Sequence, residues 1–218
     1  SYASASQAAS SLKNVYVVDS RNLSTGTGLL VLDACDMAAK GMSPADIVAR
    51  ENVRSGAVQA SFIIENLEFL HKGGRCSSLM YFGANLLMIR PIIEVSDGKM
   101  GVGKKPFGKY VRCVEKYVAY VKNKYTNPDK TRCFVTHTKM DAGIAEKVVE
   151  AVKSWGIFDE VLETTAGCTA AATTSMTSPP AASMRETALR SALSGITAPP
   201  CSSTTAACNN LTSNTITA

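Results

Sequence analysis

Beyond Glu163 the chain loses the means to build a core. Thr164 to Ala218 contains no aromatic residue, its only charges are Arg185, Glu186 and Arg190, and Ala, Thr, Ser and the pairs Pro179-Pro180 and Pro199-Pro200 fill most of the rest. Such a segment cannot bury enough apolar surface to offset the entropy of ordering it. Met184 to Leu193 has the spacing of one short amphipathic helix, which is marginal in water on its own. The fold must therefore come from what precedes, and residues 170–218 are expected to be a low-complexity, disordered tail.

The preceding part alternates strand and helix signals, which indicates an α/β fold. Val15-Tyr16-Val17-Val18 reads as a strand buried on both faces, and Thr27 to Lys40 as a helix stopped by Gly41. Ser43-Pro44 opens a second helix towards Arg54, with Ser43 as N-cap and Pro44 at the first helical position. A strand at Ser61 to Ile64 follows, then helical turns at Glu65 to Lys72 and Ser78 to Leu87, separated by Gly73-Gly74. Pro91 to Val95 and Lys99 to Val102 flank Ser96-Asp97-Gly98, the signal of a hairpin with a type I′ turn. Tyr110 to Tyr125 is a helix with Val111, Val114, Tyr117, Val118 and Val121 on one face. A strand at Arg132 to His137, a helix from Ala142 to Trp155 and a strand at Phe158 to Glu163 complete the pattern. Two α/β layers joined near Gly73-Gly74 are expected.

Composition removes several function classes. The net charge of +5 is too small to imply nucleic acid. No apolar stretch approaches the roughly 18 residues of a spanning helix. The chain opens at Ser1 with no basic-then-apolar leader, so a cytoplasmic location is expected. Its seven cysteines include no C-x-x-C pair, which argues against a zinc site or a disulfide framework and for buried thiols in a reducing compartment.

No set of residues suited to catalysis or metal binding emerges. His71 and His137 stand outside any metal pattern, although His137 ends a strand where a side chain can face a cleft. Gly98 to Lys105 approaches the phosphate-loop spacing, but Lys105 stands where a magnesium-binding hydroxyl belongs and Pro106 opposes a helix there. His71-Lys72-Gly73-Gly74-Arg75 is better suited to an anion: two glycines permit a close backbone approach, and Arg75 adds a fork of donors. A helix terminus with a solvated arginine accounts for the same residues.

The stretch Asn66 to Arg75 (Asn-Leu-Glu-Phe-Leu-His-Lys-Gly-Gly-Arg), with Gly83 to Pro91 and Asp97-Gly98-Lys99, resembles the DegV family. So do Val17 to Gly26, Thr136-His137-Thr138 and Glu163 to Thr169, in the same order. The resemblance implies a two-domain α/β fold, here incomplete: residues 1–60 as the remainder of an N-terminal Rossmann-like domain, 61–169 as the C-terminal domain, and the tail. It implies a non-catalytic carrier that holds a long-chain fatty acid in a buried apolar tunnel and presents the carboxylate to a fatty-acid kinase for phospholipid synthesis. The acid is a ligand and no cofactor is implied. Partners are the acid, the kinase and, transiently, a membrane surface. Arg75 and Gly74 would lie at the head group, with Leu86, Leu87, Ile89 and Ile92 as tunnel walls, positions that ordinary core packing explains equally well.

Departures from the family pattern bear on that function. The upstream Thr/Ser-Gln-Pro-Ser loop that grips the carboxylate does not precede Ser1-Tyr2, and the His-Cys-Gly-Pro segment and final strand expected after Thr169 are replaced by Ala170-Ala171-Ala172-Thr173-Thr174. A frameshift or a truncated gene would produce that switch, and sequencing the locus tests it. Two further readings stay open at this point: a nucleotide-binding or phosphotransfer module built on Gly98 to Lys105, and a structural fragment without a ligand.

Overall fold

The computed structural model describes residues 2–65, 88–138, 142–166 and, as backbone, the strand at 212–217. Its helices are α1 (Tyr2–Ala9), α2 (Ser24–Ala39), α3 (Pro44–Arg54), α4 (Tyr110–Lys124) and α5 (Ala142–Ser154). The strands are β1 (Val58–Ile63), β2 (Ile92–Ser96), β3 (Lys99–Val102), β4 (Pro128–His137), β5 (Glu160–Thr165) and β6 (Thr212–Thr217). They form one sheet in the order β3-β2-β1-β6-β4-β5, in which β1, β6, β4 and β5 run parallel and β2 is antiparallel to both its neighbours. Thus β1 crosses position 60 without leaving the sheet.

Both faces of this sheet are covered. Leu29 and Leu30 of α2 pack on Val58 and Phe134, with Leu162 alongside. Cys133, Val135, Ile63 and Ile92 face the other way, into a core closed by Cys113, Val114, Tyr117, Val118 and Val121 of α4 and Val148, Val149 and Val152 of α5. Successive strand residues point to opposite faces, so Phe134 and Val135 belong to different layers. A sheet sandwiched in this way covers both sides of its strands, which is why Val58 to Ser61 and Cys133 to Thr136 are buried without alternation, the polar Gln59, Ser61 and Thr136 included.

Local signals hold where their chemistry is short-range. The Ser43 hydroxyl accepts from the Asp46 N–H at 3.2 Å, and Pro44 follows as the first helical residue. Asp97 (φ 51°) and Gly98 (φ 72°) form the left-handed pair that a type I′ turn requires. Residues 99–102 pair with β2, so the phosphate-loop reading fails: this backbone is committed to a sheet and does not wrap an anion.

Other expectations change. Val15 to Val18 is not a strand; Val15 and Tyr16 are 47 % and 52 % exposed. The run pairs with no described strand, and a β-branched run outside a ladder has no hydrogen bonds to hold it extended as a strand. On α4, Val111 is exposed and Cys113 takes the buried place expected for it. α1 was not foreseen, α2 starts at Ser24, and β1, β4 and β5 are shifted or extended by two to four residues relative to expectation. Within the stretch expected to be a tail, Thr212–Thr217 form a strand in the slot between β1 and β4. There the backbone gains ladder hydrogen bonds on both sides, compensation that tail composition does not register. The helical turns at 65–72 and 78–87, and Met184 to Leu193, lie outside the described residues, Glu65 excepted.

Candidate functional site

In open α/β sheets, ligands bind beyond the carboxyl ends of the parallel strands, where loops leave the rigid layer. Here β4 ends at His137, β5 at Thr165 and β1 at Ile63. The cross-strand pairs Thr136 with Thr164 and His137 with Thr165 place the two strand ends side by side. The block Asn66 to Arg75 starts from this end of the sheet, directly after Glu65. Met88 resumes there too, because Arg90 donates through Nη1 to the Glu65 carbonyl at 2.7 Å.

The amino terminus of α2 lies against the same end. Thr25 Oγ1 is 2.8 Å from Thr136 Oγ1, which is 2.9 Å from Thr164 Oγ1. Thr136 is 1 % exposed and Thr25 half-buried. Three hydroxyl protons serve two hydrogen bonds, so the chain of hydroxyls retains one donor for an anionic oxygen, beside the positive end of the α2 dipole. The approach of α2 depends on Gly26, which is buried with the site its Cβ would take 3.3 Å from the Ala60 methyl.

On the opposite face of the same strand ends, His137 Nε2 is 3.0 Å from Glu163 Oε1, and Nδ1 is 2.9 Å from the Thr138 carbonyl. Both ring nitrogens face acceptors, which fixes the ring in place. Near Arg90 and Glu65, burial and the Glu65 charge push the Tyr110 phenol up to about 12 against the opposing influence of Arg90. That phenol is a hydrogen-bond donor at neutral pH.

The amino end of the sheet is built differently. Arg54 pairs with Asp33 and, at 2.8 Å, with Asp129, while Arg132 bonds Asp36 at 2.6 Å and Glu160 at 2.9 Å. Burial raises the Asp33 carboxyl in spite of Arg54; at Asp129 the hydrogen bonds from Arg54 and Thr131 outweigh burial and lower it. Glu51 is 2 % exposed with neither carboxyl oxygen hydrogen-bonded among the described residues, and burial followed by the Asp33 charge pushes it up to about 7. This end is closed by ion pairs, whereas the carboxyl end offers hydroxyls.

Of the residues singled out in the sequence, Gly74, Arg75, Leu86, Leu87 and His71 lie outside the described residues. Ile92 is 1 % exposed in the core with Ile63 and Val114; Ile89 is half-buried and bridges Phe107. A separate apolar groove of about 260 Å³ runs between α4 and α5, lined by Val111, Val118, Ile144, Val148 and Trp155 among others. The sequence reading did not single out Thr25, Thr136, Thr164 or Glu163. Their signal was present, since hydroxyl residues occupy the carboxyl ends of two consecutive expected strands. Cys113 and Cys133 are fully buried, with the Cys133 thiol pushed up to about 12 by burial, and Cys35 is exposed. Among the described residues no helix is long and apolar enough to cross a membrane.

Comparison with known proteins gives one consistent match. A family model described as "Uncharacterised protein, DegV family" matches residues 1–177. A DegV domain-containing protein of Caldanaerobacter subterraneus subsp. tengcongensis is 27% identical over 154 residues, covering 71% of this chain and 54% of that protein. A protein of Thermotoga maritima named "Fatty acid-binding protein" is 27% identical over 150 residues, covering 68% and 52%. The chain thus spans about half the length of these curated relatives. The crystal structure of a DegV lipid-binding protein from Thermotoga maritima superposes with a TM-score of 0.64 at 24% identity, covering 78% of this chain and 59% of that one. At that identity the likeness establishes the fold.

Proposed function

Since the chain belongs to the DegV family, we propose that it binds a long-chain fatty acid and presents its carboxylate to a fatty-acid kinase in the cytoplasm, as a carrier that performs no chemistry itself. The observation that carries this reading is the convergence of Thr25, Thr136 and Thr164 at the carboxyl end of the sheet, from three of the blocks that carry the family resemblance. A chain of hydroxyls with a donor to spare, next to a helix amino terminus, suits a carboxylate. Arg75 and Gly74 are assigned to the same head group. Leu86, Leu87, Ile89 and Ile92 are assigned to the wall of an acyl tunnel. Each buried CH₂ of the ligand adds about 0.8 kcal/mol, so affinity comes from the tunnel and orientation from the polar end.

Native mass spectrometry of the full chain purified from bacteria tests this. The expected result is a mass loss on denaturation equal to one long-chain fatty acid. No such loss, either as purified or after incubation with oleate or palmitate, would remove the function from this chain while leaving its family membership intact.

A further inference from the structure

The groove between α4 and α5 is apolar at its floor and charged at its flanks. Each helix leads into a strand, and β4 and β5 are parallel, so α4 and α5 run the same way. Lys122 Nζ stands 5.7 Å from the centre of the Trp155 ring at one end of the groove, and Val111 and Ile144 line the other end. Both pairs are 33 positions apart in sequence, which fixes the level of one helix against the other. On the side away from the sheet α4 exposes Arg112 and Lys116, one turn apart, and α5 exposes Glu146 and Glu150, one turn apart. Like charges at that spacing disfavour a helix on its own. Among the described residues none of the four enters an ion pair. Arg112 and Glu146, and Lys116 and Glu150, are each 34 positions apart. Each base therefore stands within one residue, about 1.5 Å of rise, of the level of an acid on the neighbouring helix.

We propose that a second copy of this chain packs on this face about a twofold axis running along the helices, so that α4 of each copy lies on α5 of the other. A rotation about that axis leaves every residue at its own level. Arg112 then meets Glu146 of the other copy and Lys116 meets Glu150, twice over by symmetry. Glu115 and Lys147, which line the groove within one residue of the same level, pair across it in the same way. Between these pairs Val111, Ala119, Ile144, Ala151 and Trp155 lose their contact with water. The charges select this occupant: the face is complementary to itself, whereas an acyl chain laid in the groove would leave all four flanking charges unused and one of its own sides in water. A twofold axis across the helices would instead set Arg112 and Lys116 of α4 against α4 of the other copy, base against base. Because the axis runs along the helices, the carboxyl ends of both sheets face the same way, with the threonine hydroxyls of both copies on one side of the pair. The pairing does not depend on what that site holds.

The test is sedimentation of the full chain over a range of concentrations, with the emission of Trp155, the only tryptophan of the chain, followed alongside. A dimer that grows with concentration and weakens with added salt is expected, with the Trp155 emission moving to shorter wavelength as the groove closes. Arg112→Glu with Lys116→Glu, and separately Glu146→Lys with Glu150→Lys, place like charges opposite one another and should each weaken the dimer roughly tenfold or more. All four positions are exposed, so the fold is retained. Mixed in equal amounts, the two double variants should dimerise again, since every acid then meets a base. A wild-type chain that stays monomeric at about 0.5 mM, well above the micromolar constants of weak interfaces, overturns the proposal and leaves the groove to a different partner. Either double variant dimerising as the wild type does, or a mixture that stays monomeric, overturns it as well.

Discussion

Thr25 and Thr136 stand 111 positions apart, and their hydroxyl oxygens meet at 2.8 Å where the first turn of α2 crosses the end of β4. Thr136 also bonds Thr164 on β5, so one buried hydroxyl ties a helix to two strands.

Removing it should be felt at both partners. Thr136→Val keeps the shape but strands two hydroxyls, at about 1–2 kcal/mol, while Thr136→Ser keeps both bonds. Urea midpoints should rank wild type above Ser and Ser well above Val. A Val variant as stable as Ser would show that the hydroxyl chain does not hold α2. If the proposed function is right, Val also lowers retention of a fatty acid.

Two glycines on one turn of α2 should respond in opposite directions. A Cβ at Gly26 overlaps the Asn22 amide, which donates to the Val58 carbonyl at 3.4 Å and accepts from the Leu23 N–H at 3.1 Å. A Cβ at Gly28 meets only the Phe134 ring, at 3.8 Å. Alanine gains about 1 kcal/mol of helix propensity at either site. Gly28→Ala should therefore stabilise by up to that amount, and Gly26→Ala should destabilise by about 1 kcal/mol net once the Asn22 clamp is displaced. Thermal melts of the two variants settle the ranking.

The buried Glu51 predicts how stability varies with pH. Its carboxyl titrates near 7 in the folded chain against 4.5 in the unfolded one, because burial and Asp33 penalise the charge. Between those values the native state holds the extra proton, so stability falls as pH rises from about 5 to about 8, by on the order of 3 kcal/mol. Asp33, also raised, acts in the same direction; Asp129, lowered, loses stability only at more acidic pH. Glu51→Gln should flatten the profile and stabilise the chain at pH 8. Urea midpoints at the two pH values, equal in the wild type, would contradict this.

Tyr117 is fully buried, and its hydroxyl donates to the Ser61 carbonyl at 2.6 Å while lying 2.9 Å from Ser61 Oγ. Tyr117→Phe leaves the ring packed and the Ser61 groups short of a partner, for a loss of about 1–3 kcal/mol in denaturant unfolding. An unchanged midpoint would mean that Ser61 and Gln59, already 3.0 Å apart, satisfy each other.

Features confined to a few neighbouring residues were legible in the amino-acid order. The Ser43-Pro44 start of α3, the Asp97-Gly98 turn and most of the apolar face of α4 depend on one cap, one pair of left-handed residues and one helical period, and each was found as read. Val111 departs because the period of a helix does not say where its covered stripe ends. At the candidate site, the quoted family blocks contained Thr25, Thr136 and Thr164, but nothing in their spacing joins them, since each bond spans many residues and two secondary elements.

Strands separate the two kinds of information most sharply. A helix satisfies its backbone from within, so local residues suffice to specify it, while a strand exists only where another edge accepts its hydrogen bonds. Val15 to Val18 has the residues of a strand and pairs with no described strand; Thr212–Thr217 has the composition of a tail and an open slot between β1 and β4. Helix starts, the tight turn and the apolar faces were written locally. Sheet order, the pairing of β6 and the meeting of three threonines had to wait for the fold, because contacts between distant residues are chosen by the edges and surfaces that the rest of the chain leaves available.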